Sequence, residues 1–240
     1  MKQAVKTYLQ KSRDLPTSII LVFPLFVLYQ VGLLATGGVR NGVDFVTDFL
    51  MMLAGHNFWN YFLINLGILV AFGISLIILR KKGEFDPRLW PKVIGESTVY
   101  AFFFGAAVIG MMSGLGLDVL LASGAEAVEY GTFDSIVLSV GAGLYEELVF
   151  RLFLMGGLFW AGMRWLKWPT WLVALGAVLI SSFLFSAVHY VGSLGDPFEL
   201  GSFTYRFFAG ILLAVIFYVR GFAVAVYTHA IYDIIVMVFR

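Results

Sequence analysis

The chain has no cysteine and only three histidines in 240 residues. Without cysteine there is no disulfide, no thiol nucleophile and no thiolate-held metal, although that alone fixes no compartment. Charge is scarce as well. Asp, Glu, Lys and Arg make up 13% of the sequence and the net charge is +1. No basic stripe runs through it, so there is no electrostatic footprint for nucleic acid. Long polar blocks are missing, which leaves no material for a separate soluble domain. No internal repeat is visible either, and inverted repeats mark many transporters.

What fills the chain instead is apolar. Hydrophobic residues reach 60%, outside the range of soluble domains. The fold class that follows is all-α: a polytopic transmembrane helical bundle forming a single membrane domain over residues 1–240. Seven apolar segments of roughly spanning length run near 18–35, 58–79, 93–114, 135–163, 170–190, 203–219 and 222–239. Ser18–Ala35 follows Lys2, Lys6, Lys11 and Arg13 but lacks a small-residue cleavage site. It reads as a retained first helix rather than a signal peptide. Asp134 or Ser135 is placed to cap the fourth segment. Val43–Leu53 has apolar residues at helical spacing, interrupted by Asp44, Thr47 and Asp48, and predicts a short interfacial helix. Residues 115–133, with Asp118, Glu126 and Glu129, predict a similar one.

Lys and Arg collect in the N-terminal tail, in the Arg80–Lys92 loop, at Arg164 and Lys167, and at Arg220. The intervening loops are neutral or acidic. That alternation predicts a cytoplasmic N-terminus and, with seven helices, a C-terminus outside. Trp90, Trp165, Trp168 and Trp171 gather by the basic loops, as an interfacial aromatic belt does. Compact size and the lack of appended domains point to an integral, multi-pass protein of a bacterial cytoplasmic membrane. Glu96 and Arg206 lie near segment ends and are expected to snorkel to the interface. Gly110 and Gly114 form a GxxxG, whose default meaning is close helix packing. His56 falls in an outer loop and is expected to be solvated.

Glu146, Glu147 and Arg151 sit inside a spanning segment. Each charge there costs ~2.5–3.5 kcal/mol on insertion scales, and such residues usually face a protein interior and carry function. Glu147 and Arg151 are i,i+4 neighbours with the acid N-terminal, the favourable order for a pair. At 100° per residue, adjacent Glu146 and Glu147 are not expected to share one small pocket. Glu146 is thus left without an intrahelical counter-charge, the environment a general base needs. Phe185 stands four residues before His189, and His229 four before Asp233, each pair on one helix face. An imidazole beside a carboxylate recurs in catalytic and metal sites. By helical rise, His189 is expected closer to the outer face than Glu146 and His229.

Glu146-Glu147-x-x-x-Arg151, Phe185-x-x-x-His189 and His229-x-x-x-Asp233, in that order, resemble the three motifs of the CAAX prenyl protease and bacteriocin-processing (CPBP or Abi) family. These are intramembrane glutamic endopeptidases that include the type II CAAX prenyl endopeptidases. The resemblance covers roughly 134–239, a catalytic core of four helices; the first three helices resemble nothing named. It implies that Glu146 activates a water, that His189 holds or polarises it, and that His229 and Asp233 stabilise the oxyanion. Glu147, Arg151 and Phe185 support the site. Many members carry Asn where this chain has Asp233, and an ionised Asp cannot donate a hydrogen bond. Asp233 therefore either is protonated or orients His229. The implied mechanism uses no cofactor and no metal, and the substrate is a membrane-embedded or lipid-linked peptide, such as a prenylated peptide or a pheromone or bacteriocin precursor. Other readings stand beside it. Two His with carboxylates suit a zinc protease, though HExxH is absent. Intramembrane acids and histidines also suit a proton-coupled transporter or channel, and a degenerate member acting as an immunity or scaffold protein is the last.

Overall fold

The computed structural model describes residues 2–36, 45–81, 86–117, 130–191 and 195–239, and all regular structure among them is helical. In order come α1 (Lys2–Arg13), α2 (Leu15–Ala35), α3 (Phe45–Leu53), α4 (Phe58–Lys81), α5 (Leu89–Gly114) and α6 (Thr132–Glu146). α6 runs on without a break into a π-helical stretch, Glu147–Met155, then α7 (Gly156–Ala161) and a second π-helical turn, Gly162–Leu166. Then follow α8 (Thr170–Val188), α9 (Leu200–Arg220) and α10 (Phe222–Val238).

Among the described residues five helices are long and apolar enough to cross a membrane: Leu15–Ala35, Trp59–Ile78, Leu89–Gly114, Thr170–Val188 and Leu200–Arg220. The chain is an integral, polytopic helical membrane protein. The other two expected spans differ. The fourth is the α–π composite, and the seventh, α10, is a shorter apolar helix of 17 residues. α3 is the short helix expected over Val43–Leu53. The one expected within 115–133 lies mostly outside the described residues. α6 begins ahead of the expected caps, with Gly131 at its N-cap and Asp134 in its first turn, where a negative charge complements the helix dipole.

α10 is the centre of the bundle. Its residues from Phe222 to Ala230 are all buried, against α6, α5, α2 and α9, and a helix buried all round has to be apolar all round. Gly143 sets its distance from α6: a Cβ there would fall 2.6 Å from the Ala230 backbone nitrogen. Only glycine permits that approach, and it brings the acids of one helix to the imidazole of the other. The GxxxG of α5 does no such work, since nothing described lies within 4 Å of a Cβ at Gly110 or Gly114.

The turn from α9 into α10 rests on Gly221, at φ +92°, a conformation that L side chains rarely adopt. Beside it, the Arg220 guanidinium grips the Glu96 carboxylate through Nε (2.5 Å) and Nη2 (2.8 Å), and Nη2 also donates to Ser12 Oγ. Tyr8 and Tyr100 donate to the same carboxylate. Glu96 is thus fully engaged inside the bundle and does not snorkel. The burial and carboxylate that hold the Tyr8 hydroxyl push its pKa up. Arg220 and Lys92 both lie over the Tyr8 ring, so basic residues from distant segments meet at one end of the bundle. Trp165, Trp168 and Trp171 are exposed, as a belt requires, whereas Trp90 turns inward and donates to the Leu21 carbonyl at 2.9 Å.

Candidate active site

α8 meets the composite helix as the second arm of an antiparallel hairpin. Gly162 faces Val173 closely enough that a Cβ would lie 2.5 Å from Cγ1. Counting sixteen residues from that contact along each arm, 162 to 146 and 173 to 189, ends on Glu146 and His189. The two are therefore level, and His189 Nε2 lies 3.9 Å from Glu146 Oε2. The expected offset of His189 toward the outer face is not found, because its level is set by the Gly162–Val173 contact between the arms and not by each segment's apolar boundaries.

His189 is the residue at which α8 ends, and the last four carbonyls of a helix lack intrahelical partners. Those of Ser186, Ala187 and Val188 accept from the amides of His189, Tyr190 and Val191. The Phe185 carbonyl takes the His189 side chain instead, with Nδ1 donating at 2.8 Å. A carbonyl only accepts, so Nδ1 carries a proton, and Nε2 is the nitrogen that faces Glu146. This explains the Phe-x-x-x-His spacing: the backbone four residues earlier fixes the tautomer. The Phe185 ring has a second task. The Arg151 guanidinium lies 4.2 Å over it, and its edge contacts reach both His189 and His229.

Glu146, Glu147, Arg151 and His229 are buried. His229 Nδ1 donates to Glu147 Oε1 at 2.8 Å, and its Nε2 lies 3.8 Å from Glu146 Oε2 and 3.4 Å from Asp233 Oδ2. Adjacent Glu146 and Glu147 thus do converge, contrary to the expectation from 100° spacing. They flank the two nitrogens of one imidazole, and the π-helical stretch that begins at Glu147 widens the turn on which they stand. π-helical turns are rare and are frequently found at functional sites. No sequence signal marks this one.

Glu147 Oε2 lies 3.2 Å from Arg151 Nε, off the direction of a hydrogen bond, so the pair is held by charge. Arg151 Nη2 donates to the Gly210 carbonyl at 3.2 Å, which ties α9 into the network. Glu147 is therefore shared between Arg151 and His229. The Nδ1 of His229 is oriented by Glu147, and Asp233 faces Nε2. All seven residues singled out from the sequence meet in one assembly. At the 3.8–3.9 Å separations around Glu146, direct hydrogen bonds are too long, and a water can bridge. Asp233 is 25% exposed and His189 16%, so the site opens between the ends of α8 and α10. Among the described residues no three His, Asp or Glu side chains form a metal-ligand group.

Residues 129–235 match the family described as type II CAAX prenyl endopeptidase Rce1-like. The stretch carrying the three motifs is thus similar to the CAAX protease family, a family of proteases acting on membrane-associated peptides. No curated protein and no solved structure matches the chain significantly.

Proposed function

We propose that this chain is an intramembrane endopeptidase of the glutamic type, with residues 134–239 as its catalytic core. The observation that carries this reading is the position of the Glu146 carboxylate, facing Nε2 of both His189 and His229. Glu146 takes a proton from a water held between it and the His189 Nε2 lone pair. The resulting hydroxide attacks the carbonyl carbon of the peptide. His229 has carboxylates at both ring nitrogens, so both are donors, and Nε2–H is aimed where the oxyanion forms. When the tetrahedral intermediate collapses, the C–N bond breaks and Glu146 returns its proton to the leaving amine.

Glu147 and Arg151 hold His229, and Phe185 separates the cation from the two imidazoles. Asp233, 3.4 Å from Nε2 of His229, favours the charge on that ring by its own charge. No step requires a metal or a cofactor. The substrate is a membrane-embedded or lipid-linked peptide, of which prenylated peptides and pheromone or bacteriocin precursors are the leading classes. The grouping of Arg13, Lys92 and Arg220 at one end of the bundle supports a cytoplasmic N-terminus, in a bacterial cytoplasmic membrane. The test compares membrane peptides from cells holding the wild-type protein with those from cells holding Glu146→Gln. A peptide that accumulates uncut only with the variant identifies the substrate, and identical profiles in cells that make both proteins would count against proteolysis.

A further inference from the structure

His189 stands at the end of its helix, so helical hydrogen bonds hold it from one side only. Its own carbonyl needs a donor, since an unsatisfied backbone group inside a membrane protein is costly. That donor is the Asp196 amide, at 2.8 Å. The Asp196 carboxylate is in turn gripped by Arg206 Nη2 at 2.5 Å. Arg206 also lies over the ring of Tyr190, the residue after His189, with 5.3 Å from Cζ to the centroid. One turn earlier on α9, Ser202 Oγ bonds the Tyr190 hydroxyl at 2.7 Å, and the Phe203 carbonyl accepts from Ser186 Oγ at 2.7 Å. The first turns of α9 thus reach the end of α8 at residues 186 and 190, and at 189 through Asp196.

We infer that Arg206 is a positioning residue: with Asp196 it clasps the backbone of His189 and fixes the imidazole relative to Glu146. Arg206 was expected to snorkel to the interface. Instead its guanidinium meets a carboxylate on one side and an aromatic face on the other, two contacts that its planar, delocalised head suits and an ammonium does not. Partly exposed ion pairs contribute little stability. The value of this one is directional. Glu146 and His189 approach at 3.9 Å with no direct bond between them, so nothing across the gap corrects the ring if its backbone drifts. A misplacement of ~1 Å at such a site can cost ~10²-fold in rate.

The clasp itself is independent of the proposed protease activity, and only its effect on turnover rests on that reading. The experiment has two arms on the purified full-length protein. The first measures hydrogen exchange at the Asp196 amide. It is expected to quicken ~10-fold or more in Arg206→Ala, as local protection is lost. Arg206→Lys should quicken it less, and the swapped pair Arg206→Asp with Asp196→Arg should recover much of the protection. Unchanged exchange in Arg206→Ala overturns the clasp. The second arm follows cleavage of an internally quenched farnesylated peptide in a double-mutant cycle. Arg206→Ala should lower kcat ~10-fold with little change in KM, and should cost nothing further in a His189→Ala background. Equal losses in both backgrounds would show that Arg206 does not act through His189. Should the wild-type protein cleave no peptide in any lipidated series, the proposed function falls while exchange still decides the clasp.

Discussion

Glu147 Oε1 accepts a hydrogen bond from Nδ1 of His229 at 2.8 Å, across from its own helical partner Arg151. One carboxylate therefore serves as the counter-ion of a buried cation and as the orienting group of an imidazole. The two duties separate under substitution.

Glu147→Gln should keep an acceptor for Nδ1 but strand Arg151 in the bundle. Breaking a buried pair from one side costs ~3–5 kcal/mol, so the yield of folded protein should drop sharply. Adding Arg151→Met removes the stranded cation and should restore yield. Turnover in the double variant should remain ~10–100-fold down, on the scale of lost outer-shell support. Thermal melts and kcat on the same samples check both halves. A double variant with full activity would confine Glu147 to a structural part.

Glu146→Gln retains shape and loses basicity. Folded protein should be recovered at wild-type yield with turnover reduced ~10²-fold or more. Near-normal cleavage by a correctly folded sample would remove Glu146 from the role of base.

Asp233→Asn should lower turnover by ~10-fold or less, because Glu147 still orients the His229 ring through its other nitrogen. The loss should be similar at every pH tested. A variant of full activity would instead show that His229 needs no carboxylate beside its Nε2.

Active, purified enzyme should contain no stoichiometric zinc and should keep its turnover after a chelator challenge. Metal analysis beside the activity assay checks this. Activity that vanishes with zinc and returns when zinc is restored would move the assignment to a metalloprotease.

Much of the candidate site was legible in the sequence because burial of charge is so costly in this setting. Glu146, Glu147, Arg151, His229 and Asp233 stood out against apolar neighbours, and the i,i+4 rule paired Glu147 with Arg151. The π-helical stretch was not legible, since backbone register leaves no compositional mark in Glu147–Met155. Without it, adjacent acids were assigned to different surroundings. Helix length misplaced His189 because an apolar boundary locates lipid, whereas packing of Gly162 on Val173 locates the residue. Arg206 and Glu96 were read from position along their segments alone. Their partners, Asp196 and Arg220, lie 10 and 124 residues away in sequence, beyond the reach of any local rule.

The hairpin formed by the composite helix and α8 works as a ruler with its zero at the Gly162–Val173 contact. Lengthening one arm by a residue would slide its end by ~1.5 Å and swing it by ~100°, which is enough to part Glu146 from His189. Lengthening both arms equally would keep them level yet rotate both faces out of line with α10. The spacing between the Gly162–Val173 contact and the site is thus a rigid specification. Tolerance for inserted length lies on the other side of that contact, at Lys167–Pro169, where added residues move nothing that the reaction uses.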